Sequence, residues 1–285
     1  MAEVTKGVTR RSFLALSAAA LPLAAMAKFK TDIPVGIEMY SVRESLKQDP
    51  FGTVRQMAKL GYEGLEFYAP YYELSVEQTK QMRGLLDELK IRCFSTHNDL
   101  AFFAPDKLAR TIEMNHILGS KYVVLAWADP KTLDGWKKIA DTLNEAAAKL
   151  EAGGLRVGYH NHEQEFKPLE GKRPIDIIAA NTKKSIALQL DVGTCLEAGA
   201  DPVAYIRANA GRVKSIHCKE FSHDPAKGYK VTIGNGDANW SKIFEAAEGV
   251  GGIEYYLIEQ EEGEGGEMQV AEQSLKAFRK LREKA

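Results

Sequence analysis

Two histidines and a glutamate crowd the stretch GYHNHEQEF at residues 158–166, as His160, His162 and Glu165. Such a group is either a hydrogen-bonded corner that fixes a loop or one wall of a metal site. Farther along stand Asp191 in LQLDVGT, His217 and Lys219 in SIHCKEF, and Glu259 with Glu261 in YYLIEQE. Two imidazoles and two carboxylates suit a divalent cation such as Mn²⁺, Zn²⁺, Co²⁺ or Fe²⁺. Each residue has a plainer reading alone. Asp191 can cap the helix that follows it, Glu259 opens an acidic, glycine-rich run, and Lys219 can pair with Glu220 or another neighbour.

These residues act together only if the fold gathers them. Eight β-rich runs alternate with helical patterns: residues 35–42, 64–68, 91–97, 122–128, 155–162, 186–194, 213–221 and 255–261. Between them Met82, Leu85, Leu86 and Leu89 form a helical stripe opened by Ser75 and Gln78, a capping-box spacing. Asp49-Pro50 and Asp201-Pro202 mark two helix starts, and Gly61, Gly119 and Gly211 mark stops. A long helix over Leu133, Trp136, Ala140, Leu143 and Leu150 ends at Gly153-Gly154, and the last helix starts near Met268. Strands alternating with helices need parallel pairing, and eight units at this length predict a (β/α)₈ TIM barrel over residues 28–285. No G-x-G-x-x-G follows the first strand, as a doubly wound nucleotide-binding sheet would require.

In such barrels chemistry sits at the carboxyl ends of the strands. Those ends hold Glu66, His97, the His160–His162 pair, Asp191, His217 with Lys219, and Glu259. Ionisable groups at four consecutive strand ends cost much desolvation unless they are paired or metal-bound. His223, in a polar loop, reads as solvated, and His116, within a helix, as structural.

Composition removes other classes. With 45% apolar and 27% charged residues the chain is globular, and its formal charge of −1 gives nucleic acid no electrostatic reason to bind. Cys93, Cys195 and Cys218 lie in apolar runs and read as buried thiols. Residues 1–27 are set apart by Arg10-Arg11, an apolar stretch and Ala25-Met26-Ala27, the pattern of an export signal of twin-arginine type. Cleavage after Ala27 would remove Lys6, Arg10, Arg11 and Glu3, taking the charge from −1 to −3 and leaving a periplasmic protein with no membrane anchor.

The ordered series of strand-five cluster, LDVGT, HCKE, GNGDANW (234–240) and YYLIEQE resembles the sugar phosphate isomerase/epimerase family, with its xylose isomerase-like barrel, over residues 34–285. The resemblance implies one divalent metal held from strands five to eight by Glu, Asp, His and Glu. Asp191, His217 and Glu259 match the last three; the strand-five glutamate is replaced. Either His160 takes its place or Glu165 reaches back to restore a carboxylate. The family's chemistry implies proton abstraction beside a carbonyl, with Glu259 or His162 as base and Lys219 holding an oxyanion or hydroxyl. Glu66, His97, Trp127 and Glu165 are then candidate substrate contacts, and Phe67 with Trp127 could floor a sugar ring.

Three functions compete: a metal-dependent isomerase or epimerase of a sugar or keto-sugar, a lyase or hydrolase of 3-keto glycosides, and a carbohydrate-binding barrel without catalysis. Export and the lack of an arginine cluster or glycine-rich phosphate loop argue for an unphosphorylated carbohydrate.

Overall fold

The computed structural model describes residues 32–263 and 265–284; the expected export signal at residues 1–27 lies outside them. The first half runs β1 (Val35–Glu38), α1 (Arg43–Gln48), α2 (Pro50–Leu60), β2 (Gly64–Phe67), α3 (Val76–Leu89), β3 (Arg92–Asn98), α4 (Leu108–Leu118) and β4 (Tyr122–Leu125). Next come α5 (Leu133–Ala152), β5 (Arg156–His160), α6 (Pro174–Asn181), β6 (Ala187–Asp191) and α7 (Val192–Glu197). The chain then continues through α8 (Pro202–Ala208), β7 (Val213–Cys218), α9 (Trp240–Ala246), β8 (Tyr255–Ile258) and α10 (Glu267–Lys284). The eight strands pair in parallel in chain order and close through β1 and β8, where Gly36 stands opposite Leu257. This is the expected (β/α)₈ barrel.

Local chemistry explains the helix boundaries. Ser75 and Gln78 form the full capping box of α3. Asp49 accepts from Gly52 N–H and Asp201 from Val203 and Ala204 N–H, each ahead of an N1 proline. Gly61 and Gly119 end α2 and α4 in the left-handed region, at φ of 97° and 74°. Gly211 does not stop a helix: α8 ends at Ala208, and Gly211 serves the turn into β7.

All eight expected strands form, but most stop before the expected carboxyl end. The polar side chains at those ends start turns and so terminate the ladder. Glu38 accepts from Tyr40 N–H at 3.3 Å and opens a 3-10 turn, and Asp191 accepts from Thr194 N–H at 2.9 Å and opens α7.

The main core lies between barrel and helices, and a second apolar cluster of Phe94, Tyr122, Val124, Ala187, Tyr255 and Leu257 plugs the barrel floor. Gly64 is needed there, since a Cβ would sit 2.2 Å from the Phe94 ring. Cys93, Cys195 and Cys218 are buried free thiols. Among the described residues no helix is long and apolar enough to cross a membrane.

Candidate functional site

Above the apolar floor the inward faces turn polar. β5, β6 and β7 deliver His160, Asp191 and His217, and Glu259 follows the last residue of β8. Asp191 and His217 are direct ladder partners. One ligand atom from each of these four residues lies within 4.8 Å of the other three, and all four residues are buried. His160 Nδ1 and Asp191 Oδ2 have no hydrogen-bond partner. Buried polar atoms are seldom left unpaired, because each costs about 1–3 kcal/mol. Two orphaned donors beside a carboxylate and an imidazole fit a divalent cation.

Electrostatics differ sharply across the group. His217 stands between Glu259, at Nδ1 and 2.5 Å, and Glu66, at Nε2 and 2.7 Å. Burial disfavours its charge, but Glu66 and Glu259 outweigh it and raise the imidazole to about 10. Burial likewise opposes ionised Glu66 and Glu259, yet His97 and His217 hold the first, and Lys219 and His217 the second, well below the usual range. Burial lifts Asp191 to about 6, and burial followed by Glu66 raises Glu38 well above its ordinary value. His160 is lowered by burial and then by His217; His162 falls to about 4, mainly through burial, with Glu259 pulling the other way. Both are neutral bases at pH 7.

A cavity of about 410 Å³ opens over this group, walled by Tyr40, Tyr68, Trp127 and His162, with Glu38, His97, His160, Lys219, Glu259 and Glu261 at its polar side. Trp127 is 50% exposed and meets the His162 ring edge-on at 4.7 Å. Lys219 binds Glu259 at 3.2 Å and Glu261 at 2.6 Å, not Glu220.

The structure moves three expected contacts away from the cavity. Glu66 has no exposed surface; its carboxylate accepts from Ser95 and Gln189 below and from His97 and His217 above. Glu165 turns beneath the loop, where Tyr159 O–H donates to it at 2.7 Å and His162 N–H at 2.9 Å. It stands apart from the donor group, and His160 alone occupies the strand-five position. Burial lifts Glu165 to about 7 against those two hydrogen bonds. Phe67 is core. His116 is structural, bound to Gly153 O at 2.5 Å, and exposed His223 pairs with Asp237.

Sequence reasoning overlooked Glu38, Tyr40 and Tyr68. For Glu38 a signal existed: it ends β1 as Glu66 nears the end of β2, and the two are ladder partners. It also left the GNGDANW stretch without a structural reason. Glu220, fully buried, accepts from Gly234 N–H and Trp240 Nε1–H, both at 2.7 Å, and from Ala238 and Phe221 N–H. Gly236 permits this approach, because a Cβ would lie 2.6 Å from Glu220 Oε1.

Comparison with known proteins is consistent with this geometry. The profile of the family described as xylose isomerase-like TIM barrel matches residues 54–281. An inosose dehydratase of Clostridium tetani is 23% identical over 213 residues, which span 68% of this chain and 70% of that protein. A sugar phosphate isomerase/epimerase from Parabacteroides distasonis superposes with a TM-score of 0.75 at 22% identity, over 90% of this chain and 95% of the other. The IOLI protein, solved with a binding zinc atom, gives 0.69 at 16% identity, over 88% and 98%. At these identities the structural likeness speaks for the fold.

Proposed function

Because the chain belongs to the xylose isomerase-like TIM barrel family, we propose that it is a metal-dependent isomerase or epimerase of a sugar or keto-sugar, forming an enediolate by proton abstraction beside a carbonyl. The observation that carries this reading is a buried four-residue donor group (His160, Asp191, His217, Glu259) with two unpartnered atoms, whose His160 and Glu259 line the same cavity as the neutral, half-buried His162. A divalent ion held by those four residues would supply Lewis-acid polarisation of the carbonyl. The zinc atom of the IOLI protein supports that assignment.

The remaining roles fall to the chain itself. His162 lines the cavity and is uncharged at pH 7, so its imidazole can accept the proton. Lys219 stays charged and donates toward the oxyanion or a substrate hydroxyl, with Glu259 and Glu261 holding its ammonium in place. Glu259, paired to His217 and Lys219, is the second group able to move a proton. Trp127 offers its exposed face to a ring, and His97 a polar edge. Four acids and a doubly paired lysine line the cavity, which supports an unphosphorylated substrate.

With His160 where the family's resemblance implies a glutamate, a one-base route is favoured. A lifted proton then either returns to the adjacent carbon or leaves an enolate that expels a neighbouring group. The inosose dehydratase relative supports the second outcome, elimination from a keto-polyol or a 3-keto glycoside, as the alternative.

Keto-sugars, keto-polyols and their glycosides should be incubated with the protein in D₂O and followed by NMR. Deuterium entering beside the carbonyl, reduced more than about 100-fold in His162→Gln with metal content unchanged, is the expected result. No exchange with any of them would leave only a binding barrel. A product lacking the leaving group would select elimination over isomerisation. Export belongs to the same reading: periplasmic protein should begin at Lys28, and an intact Met1 in the cytoplasmic fraction would remove that part.

A further inference from the structure

Beneath the four candidate ligands the first three strands bring a second set of donors together. Glu38 and Glu66 are ladder partners on β1 and β2, 1% and 0% exposed. Two buried carboxylates side by side repel each other unless a positive charge or a proton stands between them. His97 closes the group from β3, and one ligand atom each from Glu38, Glu66, His97 and His217 lie within 4.8 Å of one another.

Of the carboxylate oxygens here, Glu38 Oε2 has no partner, whereas Glu66 Oε1 meets His217 and His97 and its Oε2 accepts from Ser95 and Gln189. Gln189 donates its amide N–H groups to Glu66 Oε2 at 2.8 Å and Ser215 Oγ at 3.0 Å, so its Oε1 faces His97 Nε2, at 2.6 Å. That contact turns His97 Nδ1 toward Glu38. That nitrogen is 4.0 Å from Glu38 Oε1, beyond hydrogen-bond distance. Two donors each about 2.1 Å from one ion stand about 3.0–3.4 Å apart at octahedral or tetrahedral angles, so the pair would close by roughly half an ångström to 1 Å on binding. Ligating histidines are commonly held through the opposite N–H in this way.

Among the described residues, only two buried carboxylate oxygens lack a hydrogen-bond partner: Asp191 Oδ2 in the upper group and Glu38 Oε2 in the lower. The same defect marks both places. We propose that Glu38, Glu66 and His97 hold a second divalent cation, with His217, whose two nitrogens face Glu259 and Glu66, standing between the two sites. Two divalent ions would match the four carboxylates Glu38, Glu66, Asp191 and Glu259 in place of the contacts that Glu66 and Glu259 now make to His217 and Lys219, with Glu261 left to Lys219. The proposal does not depend on the reaction assigned above.

The test is the metal content of the purified chain, stripped with chelator and titrated with Mn²⁺ alone. Wild type should take up about two equivalents and Glu38→Gln, which keeps the shape, about one. Mn²⁺ electron paramagnetic resonance should change from a broadened, coupled spectrum in wild type to a sharp isolated one in Glu38→Gln. Anomalous diffraction from wild-type crystals soaked in Mn²⁺ locates the ions without relying on a variant. Saturation at one equivalent, unchanged in Glu38→Gln, would overturn the second site, as would a lone anomalous peak at Asp191. Uptake lost in Glu38→Gln but kept in Asp191→Asn would support the lower site and remove the upper one.

Discussion

Replacing Glu220 by glutamine tests how the loop after β7 is held. Both Glu220 oxygens are occupied: Oε2 by Gly234 N–H and Trp240 Nε1–H, and Oε1 by Ala238 N–H at 3.1 Å and Phe221 N–H at 3.2 Å. Glu220→Gln turns one oxygen into an NH₂ group that meets two N–H donors head-on. It also removes the charge that strengthens the remaining bonds. Each unsatisfied buried donor costs about 1–3 kcal/mol, partly offset because the neutral amide is cheaper to bury than a carboxylate. The net loss should be about 2–4 kcal/mol, or roughly 5–15 °C in Tm for a chain of this size. Urea unfolding followed by circular dichroism gives the free energy, and exchange at the Phe221, Gly234 and Ala238 amides and the Trp240 indole N–H should accelerate locally. Asp237→Asn, on the exposed pair with His223, is the control and should leave the unfolding midpoint nearly unchanged. A Glu220→Gln loss below about 1 kcal/mol, or unchanged exchange at those amides, would refute the account of the loop.

The remaining predictions concern protons and substrate. Divalent ions must displace protons from His217, raised to about 10, and from Asp191, at about 6. Affinity should therefore rise about tenfold per pH unit between those values and more steeply below them; a flat Mn²⁺ affinity from pH 6.5 to 8.5 would contradict this. Glu165 is lifted from its ordinary 4.5 to about 7. A raised carboxylate gives its full stability below the unfolded value and loses it as pH rises through the folded one. Relative to Glu165→Gln, wild type should thus lose about 3 kcal/mol between pH 4.5 and 7 and little above, and parallel unfolding curves across that range would be the contrary result. Removing the exposed face in Trp127→Ala should raise KM about tenfold with kcat nearly unchanged; a pure kcat loss would place Trp127 in the chemistry instead.

Much of this protein is legible in one dimension. A period of two in the strands and a period near 3.6 in the helices are local properties, so eight βα units and their caps at Asp49, Ser75 and Asp201 could be read directly. The strand ends that carry His160, Asp191, His217 and Glu259 followed from the same alternation. Strand lengths were overestimated because Glu38 and Asp191 turn their side chains onto the backbone ahead and end the ladder.

Contacts across the barrel could not be read that way. His217 meets Glu66 from 151 residues away, and Gln189 reaches Glu66 from 123. Those meetings depend on closure between β1 and β8 and on the register of each pair, including the shifts at Leu65/Glu66 and Leu188/Gln189. Glu165 illustrates the same limit. Its composition suited a ligand, but Tyr159 O–H and the His162 N–H were nearer and drew it under the loop. Periodicity decided which face each side chain takes; only closure of the sheet decided which faces meet, and so which carboxylates were left with an oxygen and no partner.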